Sequence, residues 1–110
     1  MRYEIPKNLD KAVNILLNVL TPNDLKAIEK NQADYRFISL LGKDIRNNFK
    51  LWELDNPLVL WFKKIYGIDH ADDISEVIIN CLFAKVRKQK YDPSRDVFRI
   101  KEYWKNIGRI

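Results

Sequence analysis

Apolar residues recur three or four positions apart along nearly the whole chain, which is the spacing of one face of an α-helix. A first helix is predicted over residues 8–20, with an apolar face formed by Leu9, Val13, Leu16, Leu17 and Leu20. Thr21 and Pro22 then restart the chain, because threonine suits the N-cap and proline suits the first helical position. A short second helix to about Lys30 follows, and Asn31 ends it.

Two further helices are predicted in the middle of the chain. The first begins at Asp34, and its apolar face comprises Phe37, Ile38, Leu41, Ile45 and Phe49. Gly42 lowers its helix propensity by about 1 kcal/mol relative to alanine, which indicates that another element approaches closely there. The next helix begins at Asn56-Pro57 and ends at Gly67, which suits a left-handed C-cap. Its buried face is expected to comprise Leu58, Trp61, Phe62 and Ile65.

The last third of the sequence predicts a long central helix and a terminal one. A single apolar stripe runs to about Gln89 and comprises Ile74, Val77, Ile78, Cys81, Leu82 and Val86. Tyr91-Asp92-Pro93 breaks this helix. A sixth helix is then favoured by the spacing of Val97, Ile100, Trp104 and Ile107, although residues 96–107 have a short, unpaired strand as their alternative. The fold class is therefore all-α: one domain over residues 1–110, a compact bundle of five to six short helices, orthogonal rather than up-down.

Composition supports a single cytoplasmic domain. The 110 residues are 46% hydrophobic, enough for one core, and no apolar run approaches the length of a bilayer span. The N-terminus carries acid and proline where a signal peptide needs an apolar segment. Cys81 is the single cysteine; it cannot form an internal disulfide and is expected in the core.

The positive charge is concentrated in a basic C-terminal segment from about residue 85. Residues 1–84 carry eleven Lys/Arg against twelve Asp/Glu, a net −1, whereas residues 85–110 carry nine against three, a net +6. The candidate basic surface comprises Lys85, Arg87, Lys88, Lys90, Arg95, Arg99, Lys101 and Lys105. Such a surface attracts phosphate backbones, and aromatic residues interleave with it from Tyr91 to Arg109. A solvated helix face is the other interpretation.

The single histidine, His70, lies among Asp69, Asp72 and Asp73 just before the fifth helix. His70 or Asp69 is expected to cap this helix, with the following acids in its first turn. No metal is expected, because neighbouring side chains at a helix start point in different directions. A histidine-dependent hydrolase is the catalytic alternative, with Ser75 as the one nearby nucleophile.

Arg46, Asn47, Asn48 and Trp52 form a second polar constellation. These side chains are predicted either to line a groove for an anionic or amide-bearing ligand or to stabilise the fold. In the second case Arg46 pairs with one of the acids at 69, 72 or 73, and an asparagine caps the third helix.

The motifs Ile45-Arg46-Asn47-Asn48-Phe49-Lys50-Leu51-Trp52, Asn56-Pro57-Leu58 and Gly67-Ile68-Asp69-His70-Ala71-Asp72-Asp73-Ile74-Ser75 resemble a family of small bacterial domains of unknown function. That family shows IRN-x-x-x-LW, a short aromatic helix, and GI-x-H-P-D-D-M-S before a long apolar helix. The resemblance covers about residues 8–90, with weaker similarity at Tyr103-Trp104. The chain departs from it at Ala71, where proline is usual, and at Lys50, where glycine is frequent and a left-handed helix end is less favourable for lysine. The resemblance implies no activity.

Three functions remain as hypotheses. The leading one is a non-enzymatic interaction domain that binds a protein partner through an aromatic and charged face. The alternatives are a nucleic-acid-binding module that uses the basic segment and a small metal-dependent or histidine-dependent hydrolase centred on His70. No cofactor or membrane association is expected, and neither the partner nor the oligomeric state is specified by the residues.

Overall fold

The computed structural model describes residues 4–108, which form six α-helices and no strand. The helices are α1 (Leu9–Val19), α2 (Pro22–Glu29), α3 (Tyr35–Asn48), α4 (Pro57–Tyr66), α5 (Ala71–Val86) and α6 (Pro93–Asn106). Helix α6 covers the segment for which a strand was the alternative. The prediction of a compact all-α bundle is confirmed.

Helix α5 is the centre of the bundle, since it packs against each of the other five helices. Its buried residues are Ala71, Ile74, Ser75, Val77, Ile78, Ile79, Leu82, Phe83 and Ala84. These positions surround most of the helix, as expected for one enclosed by neighbours rather than lying on a surface. The predicted apolar face is buried at Ile74, Val77, Ile78 and Leu82, although burial extends beyond it, and its other two members, Cys81 and Val86, are only half-buried. Its central position is confirmed.

Side-chain caps fix the helix starts that the sequence predicts. The Thr21 hydroxyl accepts a hydrogen bond from the Asp24 N–H at 3.1 Å, and the Asp24 carboxylate accepts one from the Thr21 N–H at 3.2 Å. This reciprocal capping box satisfies two backbone donors at the start of α2. Asp34 and Asp92 cap α3 and α6 in the same general way.

Asn56 fixes the corner between α3 and α4. Its Oδ1 accepts from the Leu58 N–H at 2.8 Å, which caps α4. Its Nδ2 donates to the carbonyls of Phe49 (2.6 Å) and Lys50 (2.9 Å) at the end of α3. One buried amide thus satisfies polar groups of two helices and determines where the intervening Trp52 is presented.

Three helices end with a residue other than glycine in the left-handed region. Asn31, Lys50 and Lys88 have φ values of 57°, 53° and 56°. In each case the next residue closes the helix with a six-to-one hydrogen bond, the Schellman arrangement. These bonds run from Gln32 to Ala27 (2.7 Å), Leu51 to Arg46 (3.0 Å) and Gln89 to Ala84 (2.8 Å). The left-handed Lys88 explains why α5 ends at Val86 rather than near Gln89.

Two predicted core residues are exposed. The buried stripe of α4 runs through Leu58, Val59 and Phe62, which leaves Ile65 at its edge and 50% exposed. Ile107 follows the last turn of α6 and is 47% exposed, so no helical face holds it against the core.

Helix α6 is fastened along α5 by polar contacts. Asp96 accepts hydrogen bonds from Asn80 Nδ2 at 2.9 Å and from the Tyr91 hydroxyl. Arg99 binds Glu76 one turn further along α6. The two contacts bring the last turns of α6 beside the start of α5.

The Lys50→Gly variant should be more stable than the natural chain by about 1 kcal/mol, because glycine adopts the left-handed region without a Cβ clash. Urea unfolding measures the difference, and Lys88→Gly should behave alike. Lys43→Gly is the matched control, since Lys43 is exposed within α3 and its replacement should lower stability by about 1 kcal/mol. A loss of stability in Lys50→Gly as large as in the control would contradict the assignment.

Candidate functional site

His70 caps α5, as predicted, whereas Asp69 does not. The backbone of His70 is extended, and its Nδ1 accepts a hydrogen bond from the Asp72 N–H at 3.2 Å. An accepting Nδ1 means that the neutral imidazole with its proton on Nε2 makes this cap. Asp72 and Asp73 lie in the first turn of α5, where carboxylates complement the helix dipole.

The three carboxylates beside His70 turn toward three different helices. The pairs are Asp69 with Lys63 of α4 (3.9 Å), Asp72 with Arg46 of α3 (3.5 Å) and Asp73 with the Trp104 indole N–H of α6 (2.7 Å). The predicted link between Arg46 and one of the acids is therefore present, with Asp72 as the partner. Within residues 4–108 no three His, Cys, Asp or Glu side chains converge as metal ligands would.

The Arg46 side chain lies in a groove between α3 and α5. Its Nη1 donates to Ser75 Oγ at 3.1 Å, and Ser75 Oγ donates to the Asp72 carbonyl at 2.9 Å. A Cβ at Gly42 would lie 3.0 Å from Arg46 Nη1 and 3.6 Å from Ile79 of α5. The glycine expected to admit another helix thus chiefly accommodates the arginine of its own helix. Ser75 is 2% exposed and uses its hydroxyl in both bonds, so it is poorly placed as a nucleophile.

The predicted constellation around Arg46 does not form one groove. Arg46 lines a groove of about 240 Å³, but Trp52 lies elsewhere, beside His70. Asn47 is exposed, and Asn48 Nδ2 donates to the Asp44 carbonyl at 2.8 Å within the helix. The alternative of a groove shared by Arg46 and Trp52 is therefore wrong. The end of α3 is held by Asn56 and not by Asn47 or Asn48, so the predicted asparagine cap is wrong as well.

Four rings form a continuous surface, here called the aromatic row: Trp52, His70, Trp104 and Tyr103. Successive ring centroids lie 6.5, 5.5 and 5.6 Å apart. Trp52 is 59% and Tyr103 58% exposed, while Trp104 is half-buried. The row crosses from the α3–α4 connection over the start of α5 to the last turns of α6. Trp104 lies on the predicted apolar face of α6, whereas the adjacent Tyr103 cannot share that face and is exposed.

A cleft lies beside the aromatic row, here called the His70 cleft. Its volume is about 250 Å³, and its lining residues are Gly67, Ile68, Asp69, His70, Asp73, Lys101 and Trp104. Lys101 lies against Gly67, where a Cβ would be only 2.8 Å from Lys101 Nζ. Gly67 therefore both ends α4 in the left-handed region, with a φ of 72°, and leaves room for this lysine.

The pKa of Asp73 is raised in the folded protein. Burial raises the pKa of Asp73, while the hydrogen bond from Trp104, a protonated His70 and the charge of Arg99 act to lower it. Because burial is the largest cause, the ionised form is disfavoured in the folded protein.

The basic surface is partly used within the fold. Arg87 Nε donates to the Ile28 carbonyl at 2.9 Å, and its guanidinium lies over the Phe83 ring. Arg99 binds Glu76. The other six predicted cations are exposed: Lys85, Lys88, Lys90, Arg95, Lys101 and Lys105. Arg109, the last residue of the predicted interleaved segment, lies outside the described residues.

These features define a class: a small helical domain whose central helix begins beneath an exposed aromatic row. The chain belongs to the family described as a domain of unknown function, DUF6794, which it matches over residues 5–86. An uncharacterised family was expected; the motif spacing and the bacterial origin suggested by the resemblance stay predictions. The matched region ends with α5, so Trp52 and His70 lie inside it and Trp104 and Tyr103 outside it.

Neither a curated protein nor a solved structure matches the chain. None of the helices within residues 4–108 is long and apolar enough to cross a membrane.

Double-mutant cycles should separate the two links at the start of α5. The Asp73–Trp104 pair is tested with Asp73→Asn and Trp104→Phe. Its coupling free energy should be about 1.5 kcal/mol, because the carboxylate accepts a hydrogen bond from a half-buried indole N–H. The Arg46–Asp72 pair should couple by about 0.5 kcal/mol or less, because exposed ion pairs contribute little, and the Asp72 side chain is 63% exposed. Equal coupling in both cycles, measured by urea unfolding, would contradict this ranking.

The Trp104→Phe variant should raise the pKa of Asp73 further, because the indole hydrogen bond favours the ionised form. The folded state then keeps the Asp73 proton to higher pH than the unfolded state. The raised pKa stabilises the folded protein at pH values below 3.8, the usual pKa of this carboxyl group. This contribution is lost as the pH rises through the pKa of Asp73 in the folded state. Carboxyl ¹³C shifts followed by NMR measure the pKa, with Trp61→Phe on α4 as the control. A lowered Asp73 pKa in Trp104→Phe would overturn the assignment.

Proposed function

We propose that the protein is a non-enzymatic interaction domain that binds a protein partner through the aromatic row and the charged side chains beside it. The observation that carries the proposal is the exposure of Trp52 and Tyr103 at the two ends of one ring-to-ring surface. Tryptophan and tyrosine are enriched among residues that dominate binding energy at protein interfaces. Isolated exposed apolar residues are ordinary, but contiguous ones are typical of binding sites.

The row is held by fixed elements, which lowers the entropy lost on binding. Asn56 holds the corner that carries Trp52, and Asp73 holds the Trp104 indole. His70 is fixed by its capping bond at the start of α5. A partner would therefore meet an ordered surface rather than a loop that must first be arranged.

The alternatives receive less support. Nucleic-acid binding through the basic segment is less favoured because Arg87 and Arg99 make contacts within the fold. In addition, the acidic residues Asp92, Asp96 and Glu102 lie among the remaining cations. For a hydrolase at His70 the sequence offers Ser75 as the nearby nucleophile, and that hydroxyl is buried and takes part in two hydrogen bonds. The proposal includes no cofactor or metal and places the protein in the cytoplasm.

Site-specific photo-crosslinking tests the proposal. A benzophenone amino acid is placed at Trp52 or Tyr103 in cells of the source organism, and at Tyr35 as an aromatic control. Tyr35 is 87% exposed at the start of α3 and lines the groove that contains Arg46, not the His70 cleft. Positions 52 and 103 should yield the same protein adduct and position 35 should not.

The captured protein is then purified and titrated by calorimetry. Trp52→Ala and Tyr103→Ala should each weaken binding about tenfold or more, as expected for tryptophan and tyrosine residues that dominate binding energy at an interface, whereas Tyr35→Ala should leave the affinity unchanged. Fluorescence anisotropy with labelled RNA and DNA at low salt provides the competing test. Tight nucleic-acid binding without any protein adduct from the row would overturn the proposal in favour of the basic segment.

A further inference from the structure

We infer that α6 detaches from α5 and reattaches as one unit while the rest of the domain stays folded, and that the aromatic row is complete only while α6 is attached. The detachment is independent of the proposed function, whereas its consequence for the row rests on that function. The inference is carried by the polar contacts between the two helices, by the few apolar side chains that α6 buries, and by the anchoring of α5 next to the hinge.

Helix α6 covers a polar side of α5. Three polar side chains follow one another along that side at helical spacing, and each of them bonds to α6. The bonds join Asn80 to Asp96 (2.9 Å), Glu76 to Arg99, and Asp73 to Trp104 (2.7 Å). All of these groups can bond to water when the helices separate, so each bond contributes only modestly to the attachment. The side of α5 beneath α6 therefore tolerates water better than a side formed by isoleucine and leucine would.

Few apolar side chains hold α6 in place. Of its fourteen residues Val97 and Ile100 are buried and Trp104 is half-buried, whereas α5 buries nine of its sixteen. Segments that bury little apolar surface open at a lower free energy than the core of a domain. A free helix of this length is marginally stable in water, so detachment exposes the backbone amides of α6 to solvent.

The end of α5 is held independently of α6. Arg87 Nε donates to the Ile28 carbonyl of α2 at 2.9 Å, and the Gln89 N–H closes α5 on the Ala84 carbonyl at 2.8 Å. Residues 88–90 are exposed and provide the hinge. The family model ends at residue 86, so the unit that the family shares contains α1 to α5 without α6. The other five helices thus keep contacts of their own when α6 detaches.

Detachment divides the aromatic row. Trp104 and Tyr103 lie on α6, whereas His70 and Trp52 belong to the part that stays folded. A partner that contacts rings of both parts binds the attached form alone, so its binding shifts the equilibrium toward attachment. The attachment of α6 and the binding of the partner are therefore coupled.

Hydrogen–deuterium exchange of the full-length protein tests the detachment when it is followed for each amide by NMR at increasing urea concentrations. Amides of residues 98–104 in α6 should have protection factors smaller by about tenfold or more than amides of residues 77–82 in α5. Their protection should also depend less on urea, because detaching one helix exposes less surface than unfolding the domain.

Ile45→Val is the decisive variant, because Ile45 is fully buried in α3. Losing one methyl group there destabilises the folded domain without changing the attachment of α6. Protection of the α5 amides should therefore fall by about fivefold, while protection of the α6 amides stays unchanged. An equal fall in both helices would show that α6 opens only when the whole domain unfolds, which would overturn the inference.

Asp96→Ala tests the polar contacts themselves, since it removes the acceptor of both Asn80 and Tyr91. Protection of the α6 amides should fall by about fivefold. Glu102→Ala, an exposed acid on the same helix, is the matched control and should leave that protection unchanged. Equal protection of α5 and α6 in the natural chain, or no effect of Asp96→Ala, would overturn the inference.

The detachment and the proposed function fail separately. The purified partner should raise the protection of the α6 amides. Unchanged protection with a partner that crosslinks at positions 52 and 103 would refute the coupling and leave the interaction domain intact. Detachment without any crosslinked partner would refute the interaction domain and leave the detachment intact.

Discussion

The structure depends on the burial of α5 by all five of its neighbours. A helix that is apolar on nearly every side cannot remain in water, so the other helices are held together chiefly by covering it. Two of its largest residues, Ile74 and Ile78, are completely enclosed, as is Leu82 in the next turn. Removing any one of them would leave a cavity in the part of the core that all the other helices share.

The N-terminal end of α5 cannot be enclosed in the same way, because its backbone N–H groups need polar partners. His70 supplies one of them, and the carboxylates of Asp72 and Asp73 complement the dipole. Asp73 also binds Trp104 from α6, and the capping ring of His70 contacts Trp52. The polar contacts at this helix end thus bring rings from three parts of the chain together on the surface. This surface is the candidate site.

Local signals predicted the helix starts well, since Thr21, Asn56 and Asp92 act through bonds to residues two or three positions away. The helix ends were harder to predict. Lys50 and Lys88 adopt a conformation for which glycine is the usual indicator, so their residue types carried little information. At Lys50 only the family resemblance indicated the left-handed turn.

The site was predictable in its parts but not in its arrangement. His70, Asp72, Asp73 and Trp52 were all candidates, yet the sequence could not show that Asp73 faces Trp104 while Asp72 faces Arg46. These contacts span long separations and depend on how α6 is fastened by Asp96. The enclosure of α5 did have a signal: the runs 77–79 and 82–84 are uninterrupted apolar segments, which one stripe cannot explain.

The most direct test of the account is hydrogen–deuterium exchange of the protein with and without its purified partner. The account predicts slower exchange on binding in segments 50–54, 67–73 and 101–105, which carry the aromatic row and the His70 cleft, with no change across 35–43. Protection confined to 85–95, or to α1 and α2, would place the interface elsewhere and contradict the account.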